Sequence, residues 1–369
     1  MKILVGMPAA DSWGGPAACE PPFVDALRSL GVDVTEEVYV YGDKDRPTPL
    51  VERVRRVLKT AFRFRQILKN ESFDIIHLNT SFDLKTLLRD TISLTIMRPG
   101  NAKLFLKIHG SEAEKMHDAG RTKRYLINYL RKRVHGLGLL SSEEKANFLH
   151  LGFSPEEAFI VKNAVTLDLS LSRNDGTDTK NNGDTVKILF VSRFIPTKGL
   201  IETIRACAIL KRDGVHFKLS CVGDGEIRRE AEETVTELGL SDNVSFTGYI
   251  TESEVSVNYL TNDIFVFPTR HIEGFPLVLF KAAAAGLPIV TTKIRAASDY
   301  LTDPENCLFT TGEVEDVAAK ISILVNDPEL RARMCEANLK FGETLRPENI
   351  AREYLAVYEK MLSAGRENG

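Results

Sequence analysis

A chain of 369 residues, 43% hydrophobic and 27% charged, describes a globular protein long enough for two domains with cores of their own. The net charge of −3 is unevenly spread, with 25 Lys and Arg against 20 Asp and Glu in residues 1–165 and 23 against 31 in residues 166–369, so the two halves suit different partners. Five scattered cysteines (Cys19, Cys207, Cys221, Cys307, Cys335), never in CxxC spacing, exclude a disulfide framework and a metal cluster and predict a reduced, cytoplasmic protein.

Residues 2–6 read as a buried parallel strand that leads at once into polar sequence, so no signal peptide is expected. No apolar run is long enough to span a bilayer. Gly14-Gly15-Pro16 follows, opening an amphipathic helix to about residue 30. The glycines allow close backbone approach to a ligand, or make a tight turn, and Pro16 suits an early helical position. The GxGxxG fingerprint is missing, which argues against a dinucleotide cofactor. Residues 51–69 form a basic amphipathic helix, with Arg53, Arg55, Arg56, Lys59, Arg63, Arg65 and Lys69 against one acid, Glu52. Val54, Leu58, Ala61, Phe62 and Leu68 recur at helical spacing on one side. Such a helix either docks on an anionic membrane surface or covers a sheet with a basic outer face; Arg53, Arg55, Arg56, Lys59 and Arg63 are the candidate membrane contacts. No nucleic-acid-binding module is recognisable.

Strands follow at 74–78, 103–108 and 136–140, the second running into His109-Gly110. A histidine at a strand's carboxyl end lies on the ligand edge of an open sheet, as a site residue or a structural one. Residues 171–185 are polar and Gly/Asn/Asp-rich, an interdomain linker. The pattern then restarts with a strand at 186–191, a helix at 200–211 and a strand at 217–222. Arg193 and Lys198 fall in the first strand-to-helix loop, and two cations beside a helix N-terminus make a pyrophosphate pocket, although GxxxxGK[ST] is absent. Gly223 marks another turn at that edge. Residues 264–268 are a strand, 273–285 a helix and 288–291 a strand. Glu273-Gly274-Phe275 would then open the helix, either as an anion site of free amides or as a first-turn acid and a turn. Residues 347–362 are an amphipathic helix with Ile350, Tyr354, Val357 and Met361 on one side.

Taken in order, Gly14-Gly15, His109-Gly110, VSRFIPTKG at 191–199, VGDG at 222–225 and EGFPLVLFKAAAAGLPIV at 273–290 resemble the retaining, sugar-nucleotide-dependent glycosyltransferases of family 4 (group 1) with the GT-B fold. The resemblance implies an α/β protein of two Rossmann-like domains whose parallel sheets face a central cleft. Residues 1–165 would be the acceptor-side domain, 166–185 the linker, 186–345 the nucleotide-sugar domain, and 346–369 a helix crossing back to the first domain. It further implies a hexosyltransferase acting on a polysaccharide or lipid-linked glycan at the cytoplasmic membrane face. A UDP or GDP sugar would be co-substrate, with no obligatory cofactor and no metal. Arg193 and Lys198 would hold the donor diphosphate, Gly15 would close over it, and Gly223 and Gly274 would line it. Phe275, Leu277 and Val278 would supply amides, Glu273 would steady the sugar, and His109 would stand beside the reacting carbon. The family's second glutamate, which accepts from the ribose, is Lys281 here, and a lysine accepts no hydrogen bond. Asp299 is a candidate acid downstream. Lys281 therefore implies contact with a phosphate or acidic sugar, or else a catalytically impaired GT-B domain that acts as a binding or scaffold subunit.

Overall fold

The computed structural model describes residues 1–9, 12, 14–39, 49–118, 120–168 and 185–363. Most of the stretch read as a linker lies outside the described residues. The chain divides into two compact units, Met1–Ala164 with Arg346–Gly369, and Val165–Leu345.

The first unit carries β1 (Lys2–Met7), β2 (Asp33–Val38), β3 (Ile75–Phe82), β4 (Lys103–Ser111), β5 (Gly136–Leu139) and β6 (Ala158–Ile160). They form one parallel sheet in the order β2-β1-β3-β4-β5-β6. Its helices are α1 (Gly15–Ser29), α2 (Leu50–Asn70), α3 (Leu84–Met97), α4 (Arg121–Arg131) and α5 (Ser142–His150). The second unit carries β7 (Val186–Val191), β8 (Phe217–Val222), β9 (Val244–Gly248), β10 (Ile264–Phe267), β11 (Ile289–Thr292) and β12 (Cys307–Thr310). These are again parallel, in the order β12-β11-β10-β7-β8-β9. Around them lie α6 (Leu200–Arg212), α7 (Arg228–Glu237), α8 (Glu252–Thr261), α9 (Leu277–Ala284), α10 (Arg295–Tyr300), α11 (Val314–Asn326) and α12 (Pro328–Thr344).

Central strands such as β10, IFVF, are buried at every position because helices cover both faces, which is why they read as unbroken apolar runs. The local helix signals are used as written. Asp83 caps α3 and Thr251 caps α8, each in a reciprocal capping box.

A last helix, α13 (Pro347–Ser363), belongs to the first unit. Its Tyr354 ring lies 4.7 Å from Phe23 of α1, and its Tyr358 ring 5.5 Å from Phe105 of β4. Tyr358, rather than the expected Val357, completes the buried stripe with Ile350 and Met361, since Val357 is only half-buried. All five cysteines are free thiols, four of them buried. Among the described residues no helix is long and apolar enough to cross a membrane.

Candidate active site

The second sheet reverses direction between β7 and β10. The chain runs outward through β8 and β9, then returns to the other side of β7. In an open parallel sheet such a reversal leaves a crevice at the carboxyl ends of the central strands, where ligands bind. The loops after β7 (192–199), β8 (223–227) and β10 (268–276) rim it, and all three are tied together. Gly199 has φ 83°, and a Cβ there would lie 2.6 Å from the Pro268 carbonyl oxygen. The Thr197 carbonyl accepts from the Arg270 N–H at 2.8 Å, and the Thr197 hydroxyl lies 3.0 Å from His271 Nδ1. Gly223 has φ 131°, and a Cβ there would fall 1.9 Å from the Ser192 carbonyl oxygen, so only glycine lets the β8 loop close on the β7 loop.

Across this switch point Lys198 Nζ donates to Glu273 Oε1. The lysine is buried, with Nζ 5.6 Å from the Phe267 ring centre. Burial pushes the Lys198 ammonium down from its ordinary value; Glu273 opposes that shift and the Arg193 charge adds to it. His271 is lowered by burial first and then by the Lys198 charge, so it is a neutral imidazole at pH 7. Arg193 is exposed beside them and has no carboxylate partner among the described residues. Arg193 thus leaves positive charge at the switch point beside the Lys198–Glu273 pair.

The helix expected at 273–285 is α9, Leu277–Ala284. Glu273-Gly274-Phe275-Pro276 is a loop, because Pro276 takes the N-cap position at φ −70° and ψ 95°, outside the helical region. Glu273 is thus a loop residue facing Lys198, not a first-turn acid on the helix. Phe275 stacks on Phe280 at 3.9 Å, a residue before the cap packed on one in the first turn. The N–H groups of Leu279 and Phe280 turn back to the Pro276 carbonyl. Those of Phe275, Leu277 and Val278 meet no acceptor among the described residues and carry the positive end of the helix. One turn further in, Lys281 is buried and its Nζ donates to Glu252 Oε2 at the start of α8. Asp299 lies on α10.

In the first unit, β4 extends to Ser111, so His109 is inside the strand rather than just beyond it. Gly15 is the first residue of α1, with Gly14 as its cap. Below them lies a buried charged cluster that the sequence reading did not anticipate. Lys107 Nζ donates to Glu20 Oε1 at 2.6 Å, and neither side chain has any exposure. Asn79 Nδ2 bridges the Gly6 carbonyl and Glu20 Oε2, both at 3.1 Å. His109 Nε2 lies 2.8 Å from Asn79 Oδ1 and 3.4 Å from Glu20 Oε1, so this nitrogen carries the proton. Burial raises the Glu20 carboxyl, but Lys107 and then His109 outweigh it and hold the group well below the usual carboxylate range. Burial lowers His109, against the pull of Glu20. Cys19, Glu20 and His109 offer donor atoms within 4.8 Å of one another. The Lys107 ammonium already takes the charge of that carboxylate, however, so the group does not fit a cation.

The basic helix is α2, and its burial differs from the sequence expectation. Ala61 and Phe64 face the core, whereas Val54 and Phe62 are 49% and 57% exposed. Leu58 is also exposed, as are Arg55, Lys59 and Arg63, while Arg53 and Arg56 are half-buried. Arg63 lies 3.3 Å from Glu37. Of the apolar side expected from the sequence, Ala61 and Leu68 pack inward, whereas Val54, Leu58 and Phe62 stand out, interleaved with cations.

Two family models match in succession: Glycosyltransferase Family 4 over residues 17–169 and Glycosyl transferases group 1 over residues 173–341. An uncharacterized glycosyltransferase of Methanocaldococcus jannaschii is 26% identical over 80% of this chain and 78% of its own length. A GDP-mannose-dependent alpha-(1-6)-phosphatidylinositol monomannoside mannosyltransferase of Mycolicibacterium smegmatis is 28% identical over 41% of this chain, and the match spans 42% of that protein. Among solved structures, Anabaena HepE in complex with UDP and glucose superposes with a TM-score of 0.72 at 19% identity, covering 97% of this chain and 99% of that one. With two parallel six-stranded sheets and both halves matched, the chain belongs to the family 4, or group 1, glycosyltransferases of GT-B fold.

Proposed function

We propose that the protein is a retaining hexosyltransferase that moves a sugar from a UDP or GDP sugar to a polysaccharide or lipid-linked glycan presented at a membrane surface. The observation that carries this reading is the switch point of the second unit. There Lys198, Arg193 and the open amides of Phe275, Leu277 and Val278 gather positive charge beside one carboxylate, Glu273. A diphosphate fits the cations and amides, and a neutral sugar fits the carboxylate.

In the transfer, the bond from the anomeric carbon to the diphosphate oxygen breaks and the acceptor oxygen bonds to the same face of that carbon. The acceptor proton passes to the departing diphosphate. The charge that develops on the leaving group is stabilised by Arg193, Lys198 and the end of α9, which are already in place before reaction. Glu273 steadies the sugar. His109, at the carboxyl end of β4, and Gly15, at the start of α1, belong to the first unit. A UDP complex of HepE and a GDP-mannose-dependent relative support the donor class. A relative named for phosphatidylinositol monomannoside, and the exposed Val54, Leu58 and Phe62 among Arg55, Lys59 and Arg63, support docking at an anionic lipid surface.

Calorimetric titration with UDP, GDP and ADP, then with their sugars, tests the donor site. One nucleotide should bind, and Arg193→Ala should weaken it at least about tenfold, the value of a lost charged hydrogen bond. If none of the three binds, the reading fails. Sedimentation with phosphatidylglycerol vesicles tests the surface. Binding that survives the combined changes Arg55→Glu, Lys59→Glu, Phe62→Asp and Arg63→Glu refutes membrane docking through α2.

A further inference from the structure

The pair formed by Lys281 and Glu252 resembles the pair formed by Lys198 and Glu273 in one respect. In both, the lysine is buried and the carboxylate is the more exposed partner: side-chain exposures are 7% against 21% for Lys198 and Glu273, and 9% against 74% for Lys281 and Glu252. Glu252 is the first residue of α8, four residues past the carboxyl end of β9, and Lys281 lies one turn into α9. The Tyr259 hydroxyl donates to the Val278 carbonyl, which ties α8 against the first turn of α9. Glu252 therefore stands on the same sheet edge as the open amides of that turn.

An ammonium offers donors only, and this one is spent on Glu252. A carboxylate accepts at both oxygens; Oε2 takes Lys281, and Oε1 has no partner among the described residues. An ion pair whose acid is three-quarters exposed adds little to stability, so orientation is what it supplies. A carboxylate beside a diphosphate site repels phosphate, which leaves neutral hydroxyls as its ligand, and two adjacent hydroxyls can donate to one carboxylate together.

Resting on the donor site proposed above, we infer that Glu252 accepts hydrogen bonds from vicinal hydroxyls of the nucleotide sugar, and that Lys281 is the positioning residue that aims it. Lys281 then touches neither phosphate nor sugar. The vicinal pair belongs either to the ribose or to the transferred hexose.

The test uses the full chain and whichever of UDP, GDP or ADP the wild type binds, with and without its glucose or mannose ester. Glu252→Gln should weaken binding about tenfold or more. Lys281→Met should weaken it in the same direction, and Lys281→Arg should restore it. In turnover assays both losses should appear in KM with kcat nearly unchanged, and melting temperatures should stay near wild type. A loss shared by the free nucleotide assigns the ribose, and a loss confined to the sugar ester assigns the hexose; either upholds the inference. The exchanged variant Glu252→Lys with Lys281→Glu should bind better than Lys281→Met. Arg193→Ala separates the two levels of argument. If it abolishes nucleotide binding while Glu252→Gln leaves both ligands unchanged, the inference is overturned and the donor site stands. If neither changes binding, the donor site itself is wrong.

Discussion

Glutamine in place of Glu20 leaves Lys107 a buried cation without a counter-charge, and the energy of that change can be bounded from the structure. Both side chains are fully buried and the ion pair is 2.6 Å long. Removing one partner of such a pair typically costs about 3–5 kcal/mol, because the remaining charge has neither water nor a partner. The rings of Phe23 and Tyr354, 5.5 and 5.2 Å from Nζ, can return only about 0.5–2 kcal/mol. Glu20→Gln and Lys107→Met should therefore each destabilise the first unit by roughly 3 kcal/mol. The double variant, with no buried charge, should lie within about 1–2 kcal/mol of wild type, since replacing a whole buried pair is often nearly neutral. Urea denaturation followed by circular dichroism reads this, with the two units fitted as separate transitions. Singles costing less than about 1 kcal/mol, or a double variant as costly as their sum, would refute the reasoning.

Lys198→Met removes a diphosphate cation and should weaken nucleotide binding by about 1.5–3 kcal/mol, read by titration calorimetry; a dissociation constant within about twofold of wild type contradicts that role. Gly223→Ala places a methyl 1.9 Å from a backbone oxygen at φ 131°, so it should lose at least about 2 kcal/mol of stability and nucleotide binding with it. His77 is buried, and burial pushes it down to about 3, so the unfolded chain binds its proton first as pH falls. Its contribution is full above the unfolded value near 6.5 and is lost toward 3; between pH 7 and pH 5 this is about 2 kcal/mol. His77→Phe, flanked by Phe105 and Tyr354, should flatten that part of the stability profile, and an unchanged slope contradicts the assignment.

The fold was legible because buried parallel strands announce themselves as apolar runs and their helices as periodic ones; β7, β8 and β10 fall where the runs are. The loop residues Arg193, Lys198 and Glu273 were legible from position, since strand-to-helix loops of such sheets share one edge. What the sequence hid was pairing across distance. Glu252 and Lys281 lie in separate helices, and no local pattern links them. Glu20 and Lys107 carried a signal that went unread: a lysine in the middle of the apolar run KLFLKIHG requires a buried counter-charge somewhere. The start of α9 was misplaced because helix propensity runs on through Phe275, while Pro276 and the stacking of Phe275 on Phe280 fix the turn.

The placement of α13 has a consequence for biosynthesis. Tyr354 and Tyr358 cover Phe23, His77 and Phe105, all of which leave the ribosome well over two hundred residues earlier in order of synthesis. Until residues 347–363 emerge, the nascent first unit holds an uncovered aromatic surface through the whole translation of the second. That interval is when the newborn chain is most prone to chaperone capture or aggregation, so growth temperature and expression rate should govern its yield more than the stability of the finished molecule does.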